Sequence, residues 1–431
     1  MNEPVPRDQA QSSTQPAPPQ KISRTMSSPL AKTGRHRLAV LNSHPVQYFA
    51  PLYRRLARQP EIDLTVYYCS HQGAEGYYDP GFMRTIKWDV PLLDGYSYKF
   101  LPNMRPDDEV NGFTSLINPD IVREIRRERY TALWLHGYGY LTDLIALAAA
   151  RLCATPVLYH SESSLVYDAR VRRPLHVRLI KPPFLRLLFK QCSAFLAIGT
   201  LNREFYVSHG ADPDQIYHVP YSVDNDYFAN KADNLVADGQ ALRQAMGIPA
   251  GAVVFLFAAK ISANKSPLEL LQAYERLRDL PNKALIMVGD GELRGRTEAY
   301  VAEKNLWDVH HVGFVNQSEL PRYYAMSDVF MRPDGLAKGD WGLSVNEAMA
   351  SGLAVIATDS IGATRDLVKN GENGIVVRFG DIDDLADAMR RMVSDPETCR
   401  RMGLRSREII SQWSYDQCIS GVLQALAAIG N

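Results

Sequence analysis

From residue 37 onward, short continuous apolar runs alternate with segments of helical periodicity, and the alternation is carried through twice. In the first half, residues 38–41, 64–69, 132–136, 156–160, 194–198 and 216–219 read as buried strands. In the second half, residues 253–259, 285–288, 309–312, 329–331, 354–357 and 375–377 do. Amphipathic stretches lie between them: 51–58, with Leu52, Tyr53 and Leu56 inward, and 118–129, with Ile121, Val122 and Ile125 on one side. Strands separated by helices imply parallel βαβ units with helices on both faces of each sheet. The pattern predicts an α/β chain of two doubly wound, Rossmann-like domains. Such sheets bind ligands beyond the carboxyl ends of their strands, so the residues just after each apolar run are where chemistry is expected.

At 431 residues the chain is long enough for two cores. Lysine plus arginine equal aspartate plus glutamate at 48 each, so no global basic field argues for a nucleic-acid partner. The five cysteines, at 69, 153, 192, 399 and 418, form no CxxC pair; neither a zinc site nor a disulfide framework is expected, and a reducing cytoplasm suits them. No run reaches the roughly 18 apolar residues of a membrane span. Residues 1–36 are rich in Pro, Gln, Ser and Thr, have no signal-peptide apolar region, and read as a disordered tail that activity does not need.

The densest local signal is residues 339–352, Gly-Asp-Trp-Gly-Leu-Ser-Val-Asn-Glu-Ala-Met-Ala-Ser-Gly. A turn with Gly335, Gly339 and Gly342 opens a short helix that Gly352 closes at its C′ position. Free backbone N–H groups around Leu343 and Ser344 make an anion site at its start. Glu347 shares a face with Leu343, Ala350 and Ser351; a carboxylate in that company is either ion-paired within the core or turned to a ligand. Lys260 and Lys265 follow the strand at 253–259 and precede a helix opened by Pro267, a placement suited to a diphosphate or to two solvated loop lysines.

Other polar residues sit at strand ends. His136 ends the strand at 132–136 and is either a core histidine or a site residue; His160 ends the next beside Glu162, as site residues or a local hydrogen-bonded turn. The Gly289–Asp290–Gly291 turn lacks the third glycine of a dinucleotide-binding fingerprint, because Arg294 stands there. The pairs Asp224/Asp226 and Asp381/Asp383 have metal-site spacing, but the second precedes a helix, where Asp is a routine N-cap; both read as structural, and no metal is predicted. Residues 170–190 mix Arg170, Arg172, Arg173, Arg178, Lys181, Arg186 and Lys190 with apolar residues, and Pro182–Pro183 is expected to split them into two helical pieces. That surface suits an anionic membrane or is a solvated helix face.

Residues 339–359, and Gly-Ala-Thr-Arg-Asp-Leu-Val at 362–368, resemble the nucleotide-sugar signature of retaining glycosyltransferases with the GT-B fold, in particular the large family numbered 4. The resemblance covers about residues 37–426. It implies two Rossmann-like doubly wound parallel-sheet domains facing a cleft: an acceptor-binding domain at 37–228, a linker at 229–251, a nucleotide-sugar domain at 252–412, and a final helix at 413–431 crossing back. Glu347 matches the family's second glutamate, which holds the donor ribose; the first falls on Gly339, with Asp340 beside it. Lys260 stands in place of the family's arginine, and with Lys265 would hold the donor phosphates. Gly289 and Gly291 match donor-pocket glycines. Phe314 and Val315 match the stretch that meets the nucleobase through its backbone, and Gly342 the turn before the signature helix.

His136 matches a histidine facing the transferred sugar. His44, Pro45 and Gln47 replace a glycine-rich loop and point to an acceptor pocket, to which His160 and Glu162 are assigned. The resemblance implies a cytoplasmic, metal-independent hexosyltransferase using a UDP- or GDP-linked sugar as co-substrate, with no cofactor. The expected acceptor is a glycan or lipid-linked glycan, at the inner face of a membrane, in cell-surface polysaccharide or glycolipid synthesis. A non-catalytic GT-B scaffold and a GT-B phosphorylase or epimerase are the alternatives.

Overall fold

A computed structural model describes residues 35–106, 109–166, 174–334 and 341–430. Gly335, Gly339 and Asp340, as well as Arg170, Arg172 and Arg173, lie outside the described residues. The strands are β1 (His36–Asn42), β2 (Ile62–Tyr68), β3 (Tyr77–Asp79), β4 (Arg84–Ile86), β5 (Ser97–Phe100), β6 (Ala132–His136), β7 (Val157–His160), β8 (Ala194–Ala197), β9 (Ile216–His218), β10 (Val253–Ala258), β11 (Lys283–Val288), β12 (Val309–Gly313), β13 (Val329–Arg332), β14 (Ala354–Thr358) and β15 (Gly374–Val377).

One sheet has the order β5-β2-β1-β6-β7-β8-β9 and the other β12-β11-β10-β13-β14-β15. All pairings within them are parallel. The expected pair of doubly wound parallel sheets is therefore what forms. Strand order reverses between β1 and β6 in the first domain and between β10 and β13 in the second, which leaves a crevice at each switch point.

The continuous apolar runs have a direct structural reason. In β1, Leu38 and Val40 join a core that also takes in the second domain's Val254, Leu256 and Ile286, while Ala39 and Leu41 join a separate core on the opposite face. In β10, Val253, Phe255 and Phe257 likewise enter a third core. Both faces of each sheet are covered, so no polar alternation survives.

Two segments differ from the sequence reading, the hairpin at 77–86 and the helix around Pro182 and Pro183. Residues 70–93 show no apolar run, yet Tyr77–Asp79 and Arg84–Ile86 pair as an antiparallel hairpin. Within 229–251, helices Asn225–Asn234 and Val236–Ala245 run as far as residue 245, and Arg243 bonds Met326 O at 2.7 Å and Asp328 Oδ2 at 2.8 Å. Pro182 and Pro183 do not split their segment, because Leu175–Phe189 is one helix. Each proline forfeits one i→i−4 bond, and the burial of Leu185, Leu188 and Phe189 holds the axis. The paired acids serve structure: Asp224 caps the Tyr227 amide and Asp381 the Asp384 amide.

The last helix, Tyr415–Ile429, packs on the first domain. Tyr415 Oη donates to Tyr48 O at 2.8 Å, and Cys418 Sγ donates to Pro220 O at 2.9 Å. Asn346 of the second domain donates to Tyr221 O at 2.9 Å and accepts from Trp341 Nε1 at 3.0 Å; Trp341 in turn stacks on Trp413 at 5.5 Å.

Candidate active site

A cleft of about 920 Å³ lies between the carboxyl edges of the two sheets. Its walls come from both switch points: the loops after β1 and β6 on one side, and those after β10 and β13 on the other.

The helix Leu343–Ala350 forms part of the second wall. Gly342 precedes it with φ +90°, a backbone that disfavours any side chain, and a Cβ there would lie 2.9 Å from Ile361. The amides of Leu343 and Ser344 have no acceptor within the helix. At the far end Gly352 N bonds Met349 O and Leu353 N bonds Ala348 O, both at 3.0 Å, the two bonds of a Schellman stop.

Glu347 sits on this helix with 1 % of its surface exposed, and it lines the cleft. Tyr324 Oη donates to it at 2.7 Å and Gln317 Nε2 at 3.3 Å. Its hydrogen-bond partners are thus a hydroxyl and an amide rather than a cation. Burial outweighs these bonds and pushes its carboxyl up to about 7.

Both lysines carry acidic partners. Lys260 Nζ lies 2.9 and 3.0 Å from the two carboxylate oxygens of Asp79, on the first-domain hairpin. Lys265 Nζ lies 3.0 Å from Asp334 Oδ2. Arg332 Nε approaches the other oxygen of Asp334 at 2.8 Å, as an ionic contact without well-aligned hydrogen-bond geometry, and Arg332 Nη1 donates to Ser344 Oγ at 3.0 Å. Gly289, at φ +142°, admits no side chain, since a Cβ would collide with Ala259 O.

Rings and imidazoles line the first-domain wall. His136 stacks on Trp134 at 5.3 Å, meets Phe49 edge-on at 4.7 Å and His160 at 4.8 Å, and its Nε2 shares a hydrogen bond with Tyr53 Oη at 3.1 Å. Burial holds its basicity well below the usual range, and the neighbouring His160 lowers it further. Burial likewise lowers His160 and His44 to about 4. All three rings are neutral at pH 7. Glu162 accepts from Tyr221 Oη at 2.7 Å.

Of the residues singled out in sequence, His44, Gln47, His136, His160, Glu162, Lys260, Lys265, Gly289, Phe314, Val315, Gly342, Leu343, Ser344 and Glu347 all line this one cleft. Gly291 lies behind its wall, where a Cβ would meet Ile261 O at 2.6 Å and Gly81 O at 3.0 Å. Asp79, Gln317, Arg332 and Trp341 also line it and were not read from the sequence. Arg332 had a signal, since it ends an apolar run at a strand terminus.

Residues 238–409 match the family model described as glycosyl transferases group 1. The 2-deoxystreptamine glucosyltransferase of Streptomyces kanamyceticus is 30 % identical over 336 residues, which span 74 % of this chain and 83 % of that protein. The chain belongs to the group 1 glycosyltransferases. A second relative of this glycosyltransferase is the UDP-Gal:alpha-D-GlcNAc-diphosphoundecaprenol alpha-1,3-galactosyltransferase of Escherichia coli, 25 % identical over 70 % of this chain and 76 % of its own length. The crystal structure of a glycosyltransferase from Rickettsia africae superposes with a TM-score of 0.71 at 14 % identity, covering 93 % of this chain and all (100 %) of that one. This glycosyltransferase has the GT-B fold.

Proposed function

We propose that this glycosyltransferase moves a hexosyl residue from a UDP- or GDP-linked sugar to a hydroxyl of a glycan or lipid-linked glycan. In this reading it acts with retention of anomeric configuration and without metal, in cell-surface polysaccharide or glycolipid synthesis. The observation that carries the reading is the division of the cleft. The second domain offers Lys260, Lys265, the open amides of Leu343 and Ser344, and Glu347, a set suited to a diphosphate and a ribose. The first domain faces it with neutral imidazoles and aromatic rings, suited to the hydroxyls and C–H faces of sugars. The Escherichia coli relative, whose name gives UDP-Gal as donor and a diphosphoundecaprenol-linked acceptor, supports the same donor and acceptor classes.

Breaking the anomeric C–O bond leaves its electron pair on the diphosphate. Preorganised cations and amides stabilise that charge as it develops. The acceptor hydroxyl attacks the face from which the diphosphate departs, and a phosphate oxygen takes its proton. Neutral His136 acts as a hydrogen-bonding group toward the transferred sugar rather than as a charge.

No helix among the described residues is long and apolar enough to cross a membrane. On the helix Leu175–Phe189, Leu175, Leu179, Ile180 and Leu187 are between 62 and 69 % exposed, on the side away from Leu185 and Leu188, with Arg186 and Lys190 among them. This face supports peripheral docking on an anionic membrane.

The test is transfer from a panel of UDP- and GDP-hexoses to glycan and polyprenyl-linked acceptors, with the product's anomeric proton coupling read by NMR. A product of the donor's configuration is expected; an inverted product, or no acceptor-dependent release of nucleotide, overturns the reading.

A further inference from the structure

The hairpin β3–β4 stands outside both parallel sheets and reaches across to the second domain. Asp79 takes the Lys260 ammonium in both carboxylate oxygens. Phe82 places its ring 4.8 Å from the same ammonium and meets Phe314 edge-on at 5.0 Å. Arg84 stands over the Phe314 ring at 4.8 Å. Just beyond the hairpin, Lys87 O accepts from Asn316 Nδ2 at 2.7 Å, and the Asp89 carboxylate accepts from the Ser318 amide at 3.1 Å. These contacts fall on the loops after β10 and β12, the wall assigned above to the donor.

The Asp79 carboxylate is set in place by its own turn. It is 8 % exposed, and its Oδ1 accepts from the amides of Gly81 at 2.8 Å and Phe82 at 3.1 Å. Space around the pair is tight, since a Cβ on Gly81 would lie 2.7 Å from Lys260 Nζ. Lys260 is more open, at 38 % side-chain exposure, and both residues line the cleft. A diphosphate entering the cleft meets a cation already held by two carboxylate oxygens, and it meets the carboxylate's own charge. Like charges in a partly desolvated site repel.

We propose that Asp79 is a positioning residue that competes with the donor's diphosphate for Lys260. With no nucleotide bound, its carboxylate holds the ammonium and docks the hairpin. Donor binding exchanges that carboxylate for phosphate oxygens, and the return of Asp79 to Lys260 helps expel the nucleoside diphosphate after transfer. The inference rests on the reading of Lys260 as a phosphate ligand.

The test is calorimetric titration of UDP and GDP into the full chain and into Asp79→Asn. Asparagine keeps the Oδ1 acceptor for the Gly81 and Phe82 amides while removing the charge. The variant is expected to bind the preferred nucleotide about two- to fivefold more tightly. In turnover it should show a lowered KM and, through slower product release, a lowered kcat. Asp79→Ser, which also keeps a turn acceptor, should behave alike, and melting curves confirm that both are folded. Unchanged or weaker nucleotide affinity in folded variants overturns the inference and leaves the donor site standing. Failure of wild type and variants alike to bind UDP, GDP or their sugars overturns the donor reading and this inference with it.

Discussion

Lys265 Nζ lies 3.0 Å from an aspartate, Asp334, whose side chain is 1 % exposed. The lysine is itself 11 % exposed, so this is a buried ion pair rather than a surface one. Removing one member of such a pair strands the other charge at a cost of about 3–5 kcal/mol, but Asp334 keeps Arg332 Nε at 2.8 Å, which spares part of that cost. Lys265→Ala is therefore expected to lose about 1–3 kcal/mol in urea denaturation, whatever it does to turnover. A loss under about 1 kcal/mol, the range of exposed pairs, would contradict the buried geometry. Lost activity in this variant does not by itself assign Lys265 to the phosphates.

Glu347 gives a pH-dependent prediction. Burial lifts its carboxyl from the ordinary 4.5 to about 7 in the folded protein. Between those values the folded chain holds a proton that the unfolded chain has released, so stability falls as pH rises through the window. The contribution is complete below the unfolded value and lost above about 7, with a magnitude of roughly 2–4 kcal/mol. Glu347→Gln lacks this titration, so its melting temperature relative to wild type should climb between pH 5 and pH 8. A difference that does not move with pH would contradict the buried, hydrogen-bonded carboxyl. Above about pH 8, where the carboxyl is ionised, the same variant should bind donor roughly ten- to a hundredfold more weakly, because a charge-assisted hydrogen bond contributes about 1.5–3 kcal/mol.

The cleft histidines predict an acid limit of the opposite sign. Burial depresses His44 and His160 to about 4, and His136 falls in the same direction. Below the ordinary 6.5 the unfolded chain takes up protons that these rings refuse, so their contribution to stability is full above 6.5 and is lost as pH falls toward 4. Replacing His160 by Gln should flatten the drop in melting temperature between pH 6.5 and pH 4.5. An unchanged drop would show that His160 titrates normally.

What the sequence disclosed, and what it hid, follows from how each element is held. The sheets were legible because β1 and β10 are covered on both faces and leave continuous apolar runs. The site's location was legible because parallel sheets expose their carboxyl ends at switch points, and His136, Lys260 and Glu347 needed only their place after a strand or on the helix at 343–350. The hairpin was hidden, because β3 and β4 have three residues each and show more exposed positions than buried ones. The partners of the charged residues were hidden too. Asp79 is 181 positions from Lys260, and Tyr324 is 23 from Glu347, distances that no periodicity encodes.

The helix Leu175–Phe189 predicts salt-sensitive membrane binding, since its exposed leucines are flanked by Arg186 and Lys190. Flotation with anionic vesicles at low salt should recover the protein, and high salt or neutral vesicles should release most of it. The double substitution Leu179→Ser and Leu187→Ser should abolish flotation without lowering the melting temperature, because both side chains are exposed. Equal recovery of the variant and wild type would remove this helix from the account.

The central claim is that the second-domain wall of the cleft receives a nucleoside diphosphate at Lys260. Calorimetric titration of UDP and GDP into wild type and Lys260→Met tests it most directly. One of the two nucleotides should bind wild type with a stoichiometry of one, and the variant, folded by its melting curve, should bind it at least about tenfold more weakly. Binding of neither nucleotide to wild type, or equal affinity in the variant, would contradict the account.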